Sequence, residues 1–322
     1  MNKHLLNRRQ FSARSVSFGL SFPVLSAMTA AQAAAQVLHS GAASKPVART
    51  VKLPDGTTVP ALGQGCWHLG QGRHPLAVEE EALRTGISLG MTLIDTSGNY
   101  GNGRSEQFIN HMIAGQRDRI FLVSKVEGKQ VSGDGIARAC AASLARLGSA
   151  YLDLYLLHWP IPSAQFPGVV AAFEQLRAAG TIRAWGVSNF NVDQMEDLFR
   201  IPDGHRCATN QVPYSLNGRR IERDVLPWCK QHNVPVMAYS PLGGDDNLIV
   251  GDRTLAQVGT IHGCSAAAVA LAWVMRSGSV IAIPESGSPA HVKENALALS
   301  IALTPRDLQT LDAAFPGPFG AT

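Results

Sequence analysis

Charged residues are sparse: Asp, Glu, Lys and Arg make up 16% of the 322 residues. The formal net charge is +4, and four basic residues, Lys3, Arg8, Arg9 and Arg14, stand in the first 35 positions, where no acid occurs. The remainder of the chain is therefore neutral, which argues against the basic surface that draws nucleic acid. Cysteine is scarce too. Cys66, Cys140, Cys207, Cys229 and Cys264 are odd in number and never stand as C-x-x-C, so neither a zinc site nor a complete disulfide framework fits. We expect these thiols to be mostly buried and reduced, with no bound metal. Past the N-terminal region, no run of 18 apolar residues suggests a stable membrane span. A glycine fingerprint of the G-x-G-x-x-G kind is also missing. Its place after the first strand-like run holds Gly63-Gln64-Gly65-Cys66-Trp67-His68, which counts against a doubly wound dinucleotide fold.

The N-terminus differs from the rest. Its basic start leads into a weakly apolar stretch from Val16 to about Ala31, ending in the small residues Ala31-Gln32-Ala33 and Ala33-Ala34-Ala35. That is the order of a cleavable export signal. Arg8-Arg9-Gln10-Phe11 resembles a twin-arginine signal, although Asn7 stands where Ser or Thr is usual. We expect a signal over residues 1–35, a linker over 36–50 and one domain over 51–322. Such a signal implies a folded cargo, the twin-arginine translocation machinery as partner, and a periplasmic location, or a cytoplasmic one if the signal is inactive.

Val51-Lys52-Leu53 and Thr57-Thr58-Val59 flank Pro54-Asp55-Gly56, which predicts a short hairpin. Beyond it one unit repeats: a strand-like run, then an amphipathic helical stretch. The runs are Ala61–Cys66, Met91–Asp95, Ile120–Lys125, Leu152–His158, Ile182–Ser188, Ala208–Val212, Pro235–Tyr239 and Val280–Ile283. Several are apolar without alternation, as parallel strands covered on both faces are. Between them Ile136, Cys140, Leu144 and Leu147, and again Val169, Phe173 and Leu176, recur at helical spacing, while Gly90 and Gly180 fall where C-caps are wanted. The last gap holds two helical stretches, Thr254–His262 and Ser265–Arg276. Eight alternating units predict an α/β fold of the (β/α)8 TIM-barrel type, its bottom closed by the N-terminal hairpin.

In such a barrel the chemistry sits at the C-terminal ends of the strands. The second run ends in Asp95 and leads to Tyr100; the third ends Ser124-Lys125; the fourth ends His158-Trp159-Pro160; the fifth ends Ser188-Asn189-Phe190. Singly each is weak, since a lone Asp is most often a cap and a lone His a satisfied structural residue. Together they bring a carboxylate, a phenol, an ammonium and an imidazole to one mouth, and a lysine closing an apolar strand needs a partner for its charge. His111 and His262 have no partner spacing and read as surface or capping residues.

These motifs resemble the aldo-keto reductase family, from the hairpin at Val51 to a helix ending near Ala314. The resemblance rests on Asp95-x-x-x-x-Tyr100-Gly101, Ser124-Lys125, Tyr151-Leu152-Asp153-Leu154-Tyr155-Leu156-Leu157-His158-Trp159-Pro160, Gly186-Val187-Ser188-Asn189-Phe190 and Ala238-Tyr239-Ser240-Pro241-Leu242. Bacterial members that reduce methylglyoxal and similar small aldehydes also share Gly63-Gln64-Gly65-x-Trp67 and Ala208-Thr209-Asn210-Gln211-Val212. The resemblance implies NAD(P)H-dependent reduction of a small carbonyl substrate by a catalytic tetrad of Asp95, Tyr100, Lys125 and His158. Tyr100 would give the proton, its pKa lowered by the neighbouring ammonium; Asp95 would hold Lys125; His158 would donate to the carbonyl oxygen.

For the cofactor, NADP(H) or NAD(H), the resemblance implies Ser188, Asn189 and Gln211 at the carboxamide and Tyr239 stacked on the nicotinamide. Ser240, Leu242 and Gly243 would lie around the pyrophosphate, with Glu285, Ser286, Glu294 and Asn295 at the adenosine end. Trp67 and Trp159, with Tyr100 and His158, would line the substrate pocket, and Asp153 would be structural. Two departures bear on cofactor choice: Ile283-Pro284-Glu285 replaces the usual Ile-Pro-Lys, and His291 stands where Arg is frequent. The chain stops soon after the last helix, which predicts an open pocket of broad specificity. A monomer is expected. The alternative is a non-catalytic accessory subunit that binds the cofactor and senses redox state.

Overall fold

The computed structural model describes residues 49–244 and 247–318. The expected signal over 1–35 and all of the expected linker but its last two residues lie outside that range. Strands β1 (Thr50–Lys52) and β2 (Thr58–Pro60) pair antiparallel, with Thr50 opposite Pro60. Gly56 turns the hairpin at φ 94°, a conformation costly for any residue with a Cβ.

The other eight strands form one parallel sheet. In chain order they are β3 (Gln64–Gly65), β4 (Leu93–Asp95), β5 (Phe121–Val126), β6 (Leu152–Leu157), β7 (Ile182–Ser188), β8 (Asn210–Pro213), β9 (Val236–Tyr239) and β10 (Val280–Ala282). Each pairs with the next, and bridges Leu62–Ala282 and Gly65–Glu285 join first to last, closing the barrel. Every expected run overlaps a strand; the first is reduced to two residues and a bridge. Close approach explains its glycines. A Cβ on Gly65 would lie 2.9 Å from the Ile283 carbonyl oxygen, and one on Gly63 would lie 2.8 Å from that of Leu93.

Helices cover the outside: α1 (Leu76–Ser88), α2 (Arg104–Ile113), α3 (Gly135–Leu147), α4 (Phe166–Ala178), α5 (Val192–Phe199), α6 (Val225–Gln231), α7 (Arg253–His262), α8 (Ala266–Val274), α9 (Pro289–Ala296) and α10 (Pro305–Ala314). Ile136, Cys140 and Leu147 bury one face of α3, and Val169 and Phe173 one face of α4. Gly90 and Gly180 follow α1 and α4 at φ 92° and 74°, as C-capping requires. Helix α8 is apolar all round and buried from Ala267 to Val274. Among the described residues, no single helix is long and apolar enough to cross a membrane.

The hairpin packs Val51, Leu53 and Val59 into the core, and its residues border Thr92, Ile120 and Asp153 near the strands' N-terminal ends. Asp153 is structural there: it accepts from Arg117 at 2.7 Å and from the Leu122 amide at 2.9 Å, and it pairs with Arg183. All five cysteines are free thiols, four of them buried. One expectation fails. His262 is no lone capping residue; its Nε2 lies 2.9 Å from Asp307 Oδ2 and ties α7 to α10. Helices that are distant in sequence supplied this partner, so local spacing could not reveal it.

Candidate active site

At the opposite, C-terminal end of the strands lies a cavity of about 630 Å³. Asp95 ends β4 and Lys125 lies near the end of β5, two strands paired side by side. Lys125 is buried, and its ammonium donates to Asp95 Oδ2 at 2.7 Å, to the Thr96 carbonyl at 2.8 Å and to Tyr100 Oη at 3.2 Å. Tyr100 stands just past β4, in a tight turn where Gly101 and Asn102 hold positive φ. His158 follows β6, its ring edge-on to that of Tyr100 with centroids 5.7 Å apart. The four residues are thus within reach of one another, and Asp95, Tyr100 and His158 line the cavity.

The electrostatics depart from expectation at Tyr100. Burial pushes its phenol up to about 12, and the pull of Lys125 only reduces that rise. The motif predicts a pKa lowered by Lys125; loss of hydration outweighs that one neighbouring charge. For Lys125 burial works against the charged form, but Asp95 and then Tyr100 outweigh it and hold the amine above its ordinary value. The result is a protonated phenol whose oxygen accepts from an ammonium, leaving its own hydrogen free to donate.

Ser188, Asn189 and Gln211 converge beside Asp95. Gln211 Nε2 donates to Asp95 Oδ1 at 2.8 Å, Ser188 Oγ to the Gln211 carbonyl at 2.8 Å, and Asn189 Nδ2 to the His158 carbonyl at 3.1 Å. Tyr239 Oη donates to Asn189 Oδ1 at 2.9 Å, which holds its ring at the cavity wall. Asn189 and Ser240 adopt φ of 65° and 46°, a strained region for non-glycine residues that persists where the surroundings impose it. Ser240, Leu242, Gly243, Glu285 and Ser286 continue the lining, and Trp67 and Trp159 stand at it 54% and 50% exposed. These are wall residues, not core aromatics. Two expected residues stand apart: Glu294 is exposed on α9, Asn295 is buried there, and neither lines the cavity. His291, one turn earlier, does. The helix turns its first residues toward the cavity and carries the later ones away.

Glu285 is not a bare carboxylate. It accepts from the His68 amide at 2.9 Å and meets His68 Nδ1 at 2.9 Å, joining the loops after β3 and β10. Sequence reasoning missed His68. It also missed Glu127, whose Oε1 lies 2.5 Å from His158 Nδ1, and buried Glu106, which accepts from Ser124 and Arg146, each at 2.6 Å. Glu127 falls just past the end of β5 and outside the expected run, so strand alternation gave no signal for it. His68 and Glu285 are brought together only by closure of the barrel.

The arrangement fits a nicotinamide: amide and hydroxyl groups and a tyrosine ring line the cavity beside a protonated phenol. Comparison with known proteins agrees. The model described as "Aldo/keto reductase family" matches residues 61–245 and 249–315. Methylglyoxal reductase YeaE of Escherichia coli (strain K12) is 44% identical over 277 residues, covering 85% of this chain and 97% of that one. Glyoxal reductase of Bacillus subtilis (strain 168) is 31% identical over 264 residues, covering 82% and 92%. A crystal structure of an aldo/keto reductase from Klebsiella pneumoniae, in complex with NADP and acetate, has a TM-score of 0.80 and 42% identity, covering 84% of this chain and 97% of that one.

Proposed function

The chain belongs to the aldo/keto reductase family, and on that premise we propose that it reduces small aldehydes and ketoaldehydes of the methylglyoxal kind to alcohols. The observation that carries this reading is the buried chain from Asp95 through Lys125 to Tyr100, ending in a protonated phenol beside His158. When bound, the reduced nicotinamide supplies the hydride. Ser188, Asn189 and Gln211 would hold its carboxamide, and Tyr239 would support its ring. Tyr100 gives its proton to the carbonyl oxygen as charge develops there, and Lys125 steadies the phenolate left behind. His158 donates to the same oxygen, orienting the substrate. Trp67 and Trp159 border an open cavity, which suits small substrates and broad selectivity. Nothing among the described residues favours the accessory-subunit alternative, whose site would have no use for a complete proton-donating chain. Addition of methylglyoxal, glyoxal or acetaldehyde to protein and reduced cofactor is the test. Oxidation of the cofactor with at least one supports the assignment; none with any of them sinks it.

Cofactor choice turns on Glu285. Relatives with lysine there offer a cation to the 2′-phosphate; here a carboxylate occupies the rim. Two like charges about 4 Å apart repel by roughly 4 kcal/mol at an effective dielectric of 20. Glu285 is 26% exposed and bonded to His68, so we keep about a quarter of that. The remainder corresponds to about fivefold in affinity. We therefore expect use of both cofactors or a preference for NADH. Glu285→Lys removes that repulsion and adds an attraction, so it should tighten NADPH by at least about fivefold and leave NADH within about twofold in a binding titration. Wild-type protein that binds NADPH a hundredfold tighter than NADH contradicts this assignment.

We further propose that the N-terminus directs export of a folded monomer through the twin-arginine route to the periplasm. Changing Arg8 and Arg9 together to Lys should leave uncleaved precursor in the cytoplasm. Unchanged delivery of that variant to the periplasm refutes the route.

A further inference from the structure

His158 has a partner that the proposed reduction does not use. Its Nδ1 lies 2.5 Å from Glu127 Oε1 and 3.4 Å from Ser97 Oγ. The Ser97 hydroxyl already donates to Asn99 Oδ1 at 2.7 Å, so toward the ring it can only accept. Two bare acceptors do not sit 2.5 Å apart, so a proton must lie between Nδ1 and the carboxylate. The hydrogen bond to His158 holds Glu127 below the usual carboxylate range, against the cost of burial, so the proton belongs to the ring. Nε2 is then the nitrogen left for the cavity. A neutral ring protonated at Nδ1 presents a lone pair there, which repels a carbonyl oxygen. Only a ring carrying both protons can donate.

We propose that Glu127 is a positioning residue that keeps His158 doubly protonated, so that the substrate oxygen is met by a charged donor as well as by the Tyr100 phenol. This rests on the reductase reading of the site. In the step itself the carbonyl carbon takes the hydride and the oxygen takes the Tyr100 proton. His158 keeps both of its protons throughout and stabilises the negative charge while it exists. The pair is held from several sides. Trp159 stacks on the His158 ring with centroids 5.8 Å apart, and Tyr100 meets it edge-on. Lys125 and Lys129 act on Glu127, and Asp95 is bound to Lys125. Glu127 does not line the cavity, so its effect passes through the ring.

The test is nitrogen-15 NMR of the full chain with bound cofactor and without turnover, His158 being assigned by the signal lost in His158→Gln. Wild-type protein should show both ring nitrogens protonated at pH 7, and Glu127→Gln should show one. Removing the Glu127 carboxylate takes away the opposite charge that holds the second proton on the ring. In Glu127→Gln, kcat at pH 8 should accordingly fall about ten- to hundredfold, with cofactor affinity unchanged. A wild-type ring carrying one proton, or a Glu127→Gln variant with unaltered signals and kcat, overturns the proposal. Doubly protonated His158 in a protein that turns over no aldehyde would support the pair and count against the reductase reading instead.

Discussion

Tyr100→Phe abolishes carbonyl reduction and leaves cofactor affinity within about twofold: this is the largest effect we expect from a single change. Burial places the phenol at about 12, so it holds its proton throughout the neutral range. The variant therefore removes a proton and not a charge. The ring stays, and with it the edge-on contact with His158 and the ammonium of Lys125, 4.8 Å above the ring centroid. A positioned acid contributes about 10²- to 10⁴-fold, so kcat should fall by at least 10². Stopped-flow and steady-state rates, together with a cofactor titration, check both halves. A variant that keeps more than about a tenth of wild-type kcat shows that another group is the main donor.

Lys125→Met should cost stability and activity together. The ammonium is buried, and its loss strands Asp95 with Gln211 as its remaining hydrogen-bond partner and leaves the Thr96 carbonyl without this donor. Removing one member of a buried ion pair destabilises by about 3–5 kcal/mol. For a domain of this size that lowers Tm on the order of 10 °C. Adding Asp95→Asn removes the stranded charge, so the double variant should regain part of the lost Tm and none of the lost activity. The two readouts separate roles that the geometry joins: the pair supports the fold as a pair, whereas the phenol needs the cation. A double variant that regains reduction would make the cluster structural only, and a fully stable Lys125→Met would mean that the charge is hydrated and not buried.

Most of the fold was legible in the sequence because parallel strands buried on both faces leave unmixed apolar runs. Gly90 and Gly180 marked helix ends for a similarly local reason. Asp95, Lys125 and His158 were legible as polar residues ending or following such runs, where a barrel gathers its strand ends. What stayed hidden depends on contacts between distant segments. The first strand is shorter than its run because barrel closure, not propensity, sets its pairing. His68–Glu285 and His262–Asp307 join residues far apart in sequence. The sign at Tyr100 came out opposite to expectation because the motif shows the neighbouring lysine but not the loss of water around the phenol. Glu294 and Asn295 stand apart because the direction of a short helix, invisible in its sequence, decides which of its residues reach the cavity.

The most direct test follows the hydride itself. Reduced cofactor carrying deuterium at the transferring position of the nicotinamide is mixed with methylglyoxal and the purified chain, and the alcohol is analysed by mass spectrometry and NMR. One deuterium on the newly formed carbinol carbon, with product formation lost in Tyr100→Phe, is the predicted result. Alcohol without deuterium, or cofactor that stays bound and unoxidised beside the aldehyde, would contradict it.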